Sequence, residues 1–314
     1  MIACLILAYN EEKFIQSLLS DVSDIFEEII LVNDGSTDGT SEILKNINLE
    51  NVFIIENKKN LGPGKSMEIG IKEFLNTNLE FLIKIDGDQQ FKISDIEKLI
   101  SYADKNFDFI KCDRFWEKGI EGKIPTIRYI GNALANFLIK FSTGNWKIND
   151  PLNGLFLFSK KSLTDFSLPK IFYRYGYPFY VNIFMNKKIL LESQKNGQMK
   201  NTIVYSNEES RLRPSIMFFK LIYFSVTAFC RKIIEKFKFS ELQISALLDV
   251  LFLIFMSFTL YSGFRLVFVN LEYIQGSKAS WLFLTILMLF VSSFCFYSSQ
   301  GYEKKLYEEK YHIL

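Results

Sequence analysis

Residues 81–91 read FLIKIDGDQQF, an apolar run that ends in two carboxylates one residue apart. Residues two apart in an extended chain project the same way, so Asp86 and Asp88 share a face if extension continues. Ionised carboxylates held that close repel, unless one keeps its proton or a cation lies between them. A hard divalent ion, Mg2+ or Mn2+, resolves the conflict with oxygen ligands and keeps positions open for a diphosphate. Gln90 continues the spacing and offers an amide oxygen. Three other readings compete. An EF-hand loop matches at Asp86, Asp88 and Glu97, but Phe91 stands where glycine is required. GPGKS (62–66) suggests a phosphate loop, yet Lys59 occupies the place of its first glycine. An exposed acidic turn is the third.

Other chemistries have little material. His312 is the only histidine, which leaves histidine zinc sites and Ser-His-Asp catalysis close to excluded. Cys4, Cys112, Cys230 and Cys295 are scattered without a C-x-x-C pair, the pattern of reduced thiols and not of a disulfide scaffold. A formal net charge of +2 calls for no nucleic acid partner. The 314 residues hold one large domain, or a medium domain with an appendage.

The doublet needs elements to position it. MIACLILAY, EEIILVND, NVFIIEN, EFLIKID and FDFIKCD read as strands rich in isoleucine, valine and phenylalanine. EEKFIQSLLSDV, TSEILKNI, KSMEIGIKEFL and SDIEKLISYA lie between them with helical spacing, and Ser94 with Glu97 fits a capping box. This alternation predicts an α/β fold with a mostly parallel, doubly wound, Rossmann-like sheet. Ligands of such sheets bind beyond the carboxyl ends of the strands. The polar sets AYNEE (8–12), NDGSTD (33–38) and DGDQQ (86–90) should therefore meet at one rim.

Beyond about residue 210 the composition shifts. ALLDVLFLIFMSFTLYSGFRLVFV (246–269) and SWLFLTILMLFVSSFCFYSS (280–299) approach or exceed the ~20 residues that cross hydrocarbon. Asp249 and Arg265 lie near the ends of the first, where a charged tip can reach headgroups or water. A pair of buried core helices is the alternative. The connecting loop carries one lysine, whereas RKIIEKFKF and EKKLYEEK flank the spans with several. The positive-inside rule then places both the N-terminal domain and the C-terminal tail in the cytoplasm. MIACLILAYN has no basic leader and does not read as a signal peptide. Residues 214–238, aromatic and basic, read as helices lying in the membrane interface, with a third span as the alternative. The expected divisions are 1–210, 211–243, 244–300 and a tail, 301–314.

LILAYNEEKFI, ILVNDGSTDGT, NLGPGKSMEIGI and IKIDGDQQF follow, in order and spacing, the pattern of family 2 glycosyltransferases of the GT-A fold. KCDRFWEKGI (111–120), IPTIRYIGNALANFLIKFSTG (124–144) and NDPLNGLFLF (149–158) resemble the polyprenyl-phosphate branch, which includes dolichyl-phosphate mannose synthases. The likeness covers roughly residues 1–185. It implies a GT-A catalytic domain, a UDP- or GDP-sugar donor, Mg2+ or Mn2+ at the D-x-D, and a polyprenyl phosphate acceptor.

By the same resemblance the nucleotide lies near Ala8, Tyr9, Asn10, Glu11, Asp34 and Gly35, with Gly62 and Lys65 in its floor. Asp86, Asp88 and Gln90 form the metal and diphosphate set. Arg114 and Arg128 match the acceptor-phosphate arginines, with Asn132 one turn further on. Arg211 or Arg213 resembles a mobile-loop arginine that closes over the donor, although Pro214 alters that loop. Asp150 lines the site. YRYGYPFYVNIFMN (173–186) has no acid, and Asn182 stands near where relatives carry one. A phosphate acceptor, already anionic, needs no strong base, so the absence fits. The implied activity is inverting transfer to a polyprenyl phosphate on the cytoplasmic face of the plasma membrane. Lysine-, asparagine- and isoleucine-rich usage favours undecaprenyl phosphate. A transferase extending a lipid-linked or capsular glycan and a non-catalytic membrane scaffold are the alternatives. Oligomeric state is left open.

Overall fold

Branched and aromatic side chains favour the pleated, buried setting of a sheet, and each apolar run of the first half forms a strand. The computed structural model describes residues 1–116, 120–121, 126–204, 214–271 and 275–314. Strands β1 (Ile2–Ala8), β2 (Glu28–Asn33), β3 (Val52–Glu56), β4 (Phe81–Asp86) and β5 (Phe109–Asp113) stand where expected. Helices α1 (Ile15–Val22), α2 (Thr40–Lys45), α3 (Pro63–Asn76) and α4 (Ile93–Ile100) alternate with them. Then follow β6 (Ile120–Glu121), α5 (Thr126–Thr143), β7 (Phe156–Ser159), α6 (Tyr177–Glu192), β8 (Asn196–Lys200) and β9 (Ile203–Val204). Helices α7 (Pro214–Lys236), α8 (Gln243–Asn270) and α9 (Lys278–Lys310) precede a short strand, β10 (Tyr311–Ile313).

The main sheet runs β10-β8-β5-β7-β4-β1-β2-β3. Its pairings are parallel except those of β7, which lies antiparallel between β4 and β5. The fold is therefore the expected α/β sheet with one inserted reverse strand. Chain order turns around between β1 and β4, which makes the carboxyl ends of these strands the crevice for a ligand. Cys4, Ile6, Ile29, Leu31, Ile83, Ile110 and Leu157 form the solvent-free centre of the core on one face. Each such aliphatic side chain stabilises the fold by roughly 1.5–3 kcal/mol.

The capping box at Ser94 and Glu97 does not form. Helix α4 starts at Ile93, its N-cap is Lys92 in an extended conformation, and no side chain caps it. Tertiary contacts set this start instead: Phe91 bridges to Ile203, and Asp95 accepts from the Thr202 N–H at 2.6 Å.

The chain divides into two compact units, Met1–Val226 with Lys310–Leu314, and Thr227–Glu309. In the first, β10 adds to the edge of β8, Tyr311 is buried, and Lys147 donates to the Tyr311 carbonyl at 3.2 Å. In the second, Ser240–Asn270 and Lys278–Lys310 each hold an 18-residue stretch of mean hydropathy 2.1 and are long and apolar enough to cross a membrane. Residues 301–310 thus continue α9 and do not form a separate tail.

Asp249 is not a charged tip. It is fully buried and accepts from Lys236 Nζ and Ser299 Oγ, each at 2.5 Å. Lys236 also pairs with Glu303, which Lys232 reaches at 3.1 Å. Burial makes such pairing obligatory, since an isolated charge in an apolar helix bundle is prohibitively costly. Arg265 stacks over the Trp281 ring at 5.1 Å.

Candidate active site

The polar sets at the ends of β1, β2 and β4 meet at one rim. Ala8 lies opposite Asn33 and Leu7 opposite Asp86. Beyond the strands, Asn10 takes a left-handed φ of 60° and accepts from the Thr37 N–H at 2.8 Å. The Glu11 N–H donates to Thr40 Oγ1 at 2.8 Å, and the Gly87 N–H to the Leu7 carbonyl at 2.8 Å.

Asp34 is buried in this rim and already fully engaged. One carboxylate oxygen accepts from Asn57 Nδ2 at 2.8 Å and the Leu61 N–H at 2.9 Å, the other from the Gly62 N–H at 2.7 Å. Excluded from water, it must find donors within the chain, and it pins the 57–62 loop. Two glycines allow that loop to close. Gly35 (φ 66°) would place a Cβ 2.6 Å from the Lys59 carbonyl carbon, and Gly62 (φ 98°) one 2.5 Å from the Tyr173 oxygen. Any side chain at either position would collide with backbone. Lys65 pairs with Glu68 at 2.5 Å, a bond that raises its pKa, and sits over the Tyr173 ring.

Beside the rim lies a cavity of about 740 Å³. Asp86, Asp88 and Gln90 line it together with Arg114, Arg128 and Asn132, so six predicted residues converge on one space. Its apolar wall includes Ile127, Ile130, Leu134 and Leu138 of α5 and Met217, Phe218 and Leu221 of α7. Among the described residues, the lining holds none of Ala8, Tyr9, Asn10, Glu11, Asp34, Gly35, Gly62 or Lys65, which belong to the rim or its floor.

The doublet does not continue the strand. Strand β4 stops at Asp86, a turn follows, and Gln89 adopts φ 53°. The Gln89 amide donates to Ser17 Oγ at 3.0 Å and to Asp21 at 2.7 Å, which ties the turn to α1 and brings Asp88 to the cavity. Lys84 is a site residue that the motif does not reveal. Fully buried in β4, it donates to Asp86 Oδ1 at 2.5 Å and to the Tyr177 hydroxyl at 2.5 Å. The available signal was a lysine inside an apolar run, two residues before Asp86 and so on the same face. Burial, then the charges of Asp86 and Asp88, hold the Tyr177 phenol well above its ordinary pKa.

Two carboxylates and a carboxamide on one lining are an oxygen-only donor set, which suits a hard divalent ion. No group of three or more His, Cys, Asp or Glu side chains gathers among the described residues. A cation at the doublet would therefore need further ligands from a diphosphate or water, as Mg2+ commonly does.

Arg114 is held by Asp150. Its Nε lies 3.0 Å from Oδ2, its Nη2 donates to Oδ1 at 3.2 Å, and its backbone N–H donates to Oδ2 at 3.1 Å. Asp150 is fully buried, with φ 46°, a conformation that aspartate tolerates better than most residues. Buried Lys111 donates to the adjacent Asn149 carbonyl, and burial lowers its pKa. Arg128 comes from the first turns of α5, and Asn132 follows one turn later with its Oδ1 buried and accepting no hydrogen bond among the described residues. Asn182 is buried off this lining, with its amide donating to the Pro178 and Pro151 carbonyls at 2.8 and 3.3 Å. Arg211 and Arg213 lie outside the described residues.

Comparison with known proteins identifies the family. Residues 4–166, just over half of the chain, match Glycosyl transferase family 2. An uncharacterized protein of Methanocaldococcus jannaschii is 38% identical over 136 residues, 42% of this chain and 57% of that one. A UDP-N-acetylglucosamine–dolichyl-phosphate N-acetylglucosaminyltransferase of Methanococcus voltae is 28% identical over 179 residues, 52% of this chain and 71% of that one. A dolichyl-phosphate beta-glucosyltransferase of Trichomonas vaginalis is 32% identical over 105 residues, 29% and 32% of the respective chains. The chain thus spans under two thirds of the first and third of these relatives. With this domain matched over residues 4–166, the chain belongs to glycosyl transferase family 2.

Proposed function

We propose that this chain transfers a sugar from a UDP- or GDP-sugar to a polyprenyl phosphate, with inversion at the anomeric carbon. One observation carries the proposal: carboxylates, guanidinium groups and a long apolar wall share a single cavity. A nucleotide sugar brings a diphosphate, and a polyprenyl phosphate brings a second anion attached to hydrocarbon. Few other substrate pairs need all three kinds of surface together. The names of the M. voltae and T. vaginalis relatives support the same acceptor class.

In the reaction, a phosphate oxygen of the lipid bonds to the anomeric carbon while the bond from that carbon to the diphosphate breaks. The acceptor oxygen is already anionic, so no proton has to be removed. Arg114 and Arg128 hold the acceptor phosphate and offset the repulsion between two anions. Asp150 fixes the direction of Arg114. Ala8, Tyr9, Asn10 and Glu11 hold the nucleotide, on a floor shaped by Asp34, Gly35, Gly62 and Lys65. Asp86, Asp88 and Gln90 would hold Mg2+ or Mn2+, which, when bound, neutralises charge on the leaving diphosphate. Arg211 or Arg213 covers the donor. Helices α8 and α9 cross the plasma membrane, α7 lies along its interface, and the α/β unit works on the lysine-rich, cytoplasmic side.

The test is a donor panel (UDP-glucose, UDP-N-acetylglucosamine, UDP-galactose and GDP-mannose) offered with undecaprenyl or dolichyl phosphate in detergent. One donor should yield a lipid-linked sugar extractable into organic solvent. Arg114→Ala and Arg128→Ala should each lower its rate about 100-fold or more. Transfer only to soluble hydroxyl acceptors would refute the proposal.

A further inference from the structure

We infer that Lys84 is a built-in counter-ion, which fixes Asp86 and keeps the acid doublet from binding a divalent cation tightly until a nucleotide diphosphate arrives. The inference rests on the metal-binding reading of the doublet given above. Lys84 occupies a central strand, between β1 and β7, and is fully excluded from solvent. An ammonium group there is tolerable only when paired. Its Nζ reaches Asp86 Oδ1 and the Tyr177 hydroxyl, each at 2.5 Å. Asp86 therefore has one oxygen committed inside the protein.

Position 154 shows how tightly this group is enclosed. A Cβ on Gly154 would stand 2.9 Å from Asp86 Oδ2, 3.1 Å from Lys84 Nζ and 3.2 Å from the Tyr177 oxygen. The lysine, the carboxylate and the phenol thus converge beside one backbone position, where an added Cβ would press on Asp86. This is an arrangement for holding Asp86 still.

The charge balance gives the consequence. Lys84 offsets one of the doublet's two negative charges from inside the protein, while Arg114, paired with Asp150, and Arg128 stand on the same lining. A cation at the doublet is attracted less, because the ammonium lies against Asp86 from the buried side while the carboxylate itself is only partly exposed. A diphosphate adds its own negative charge and reverses the balance. The cation then enters and leaves with the nucleotide and does not reside in the empty enzyme.

Electron paramagnetic resonance of Mn2+ with the full chain in detergent reads this directly, without turnover. Wild-type protein should bind Mn2+ at least about tenfold more tightly with UDP or GDP than without either. Lys84→Gln, which removes the charge but keeps hydrogen-bonding capacity, should tighten nucleotide-free Mn2+ binding about tenfold. Lys84→Met should do the same, and thermal unfolding reports whether each variant is intact. Wild-type binding equally tight with and without nucleotide would overturn the counter-ion role while leaving the metal site standing. So would an intact Lys84→Gln variant whose nucleotide-free affinity is unchanged or weaker. Absence of Mn2+ binding under every condition would sink the metal reading itself, and this inference with it. If neither variant folds, equal wild-type affinities with and without nucleotide still overturn the counter-ion role.

Discussion

Arg114 shows how much of a charged side chain's usefulness is set by its neighbour. The guanidinium meets Asp150 through two nitrogens, and that carboxylate is buried on a left-handed turn. Asp150→Ala would take the buried carboxylate from Arg114 and leave Lys111 with Asp113 as its nearby carboxylate. It should cost about 3–5 kcal/mol of stability, since breaking a buried pair from one side strands the other charge. Chemical denaturation measures that loss, and a raised KM for the lipid acceptor with an unchanged KM for the donor should accompany it. At this scale the sequence was informative about which residues gather. Asp86, Asp88, Gln90, Arg114, Arg128 and Asn132 all line one cavity. It was less informative about what each one touches. Lys84 went unassigned, because its partner Tyr177 lies far along the chain. Asp34, read as a ligand for a base, has both oxygens accepting from the 57–62 loop.

Among the elements, those made by apolar runs were legible and those made by long-range pairing were not. Strands β1 to β5 announce themselves through isoleucine and valine. Strand β8, NGQMK, is polar and buried, held by neighbours on both sides, and has no local signature. The same limit misplaced Asp249, whose position near a helix end suggested a tip in water. Its partners, Lys236 and Ser299, lie on two other helices, and only the folded bundle shows them. A prediction follows for these helices. Lys236→Met should destabilise the bundle by about 3–5 kcal/mol, because Asp249 loses its cation and Glu303 keeps only Lys232. Thermal unfolding in detergent reads the loss. Restoring balance with Asp249→Leu in the same chain should recover part of it.

For the molecule as a whole, composition sets a mixed part apart from an apolar one beyond about residue 210, whereas the contacts divide the chain at Val226. What composition could not foresee is that the chain comes back. Residues 310–314 belong to the α/β unit, where β10 pairs with β8 and the Leu314 N–H donates to the Gln198 carbonyl at 2.9 Å. Deleting 310–314 should lower the unfolding temperature and increase aggregation, since it bares the β8 edge and removes buried Tyr311. Light scattering on heating checks this.

That returning strand also bears on biosynthesis. A ribosome makes strands β1 to β5 early but delivers β10 only after α8 and α9 have been translated. The sheet therefore cannot acquire its outermost strand until the hairpin exists, and a nascent polypeptide stalled before that point would carry an open edge for chaperones to shield.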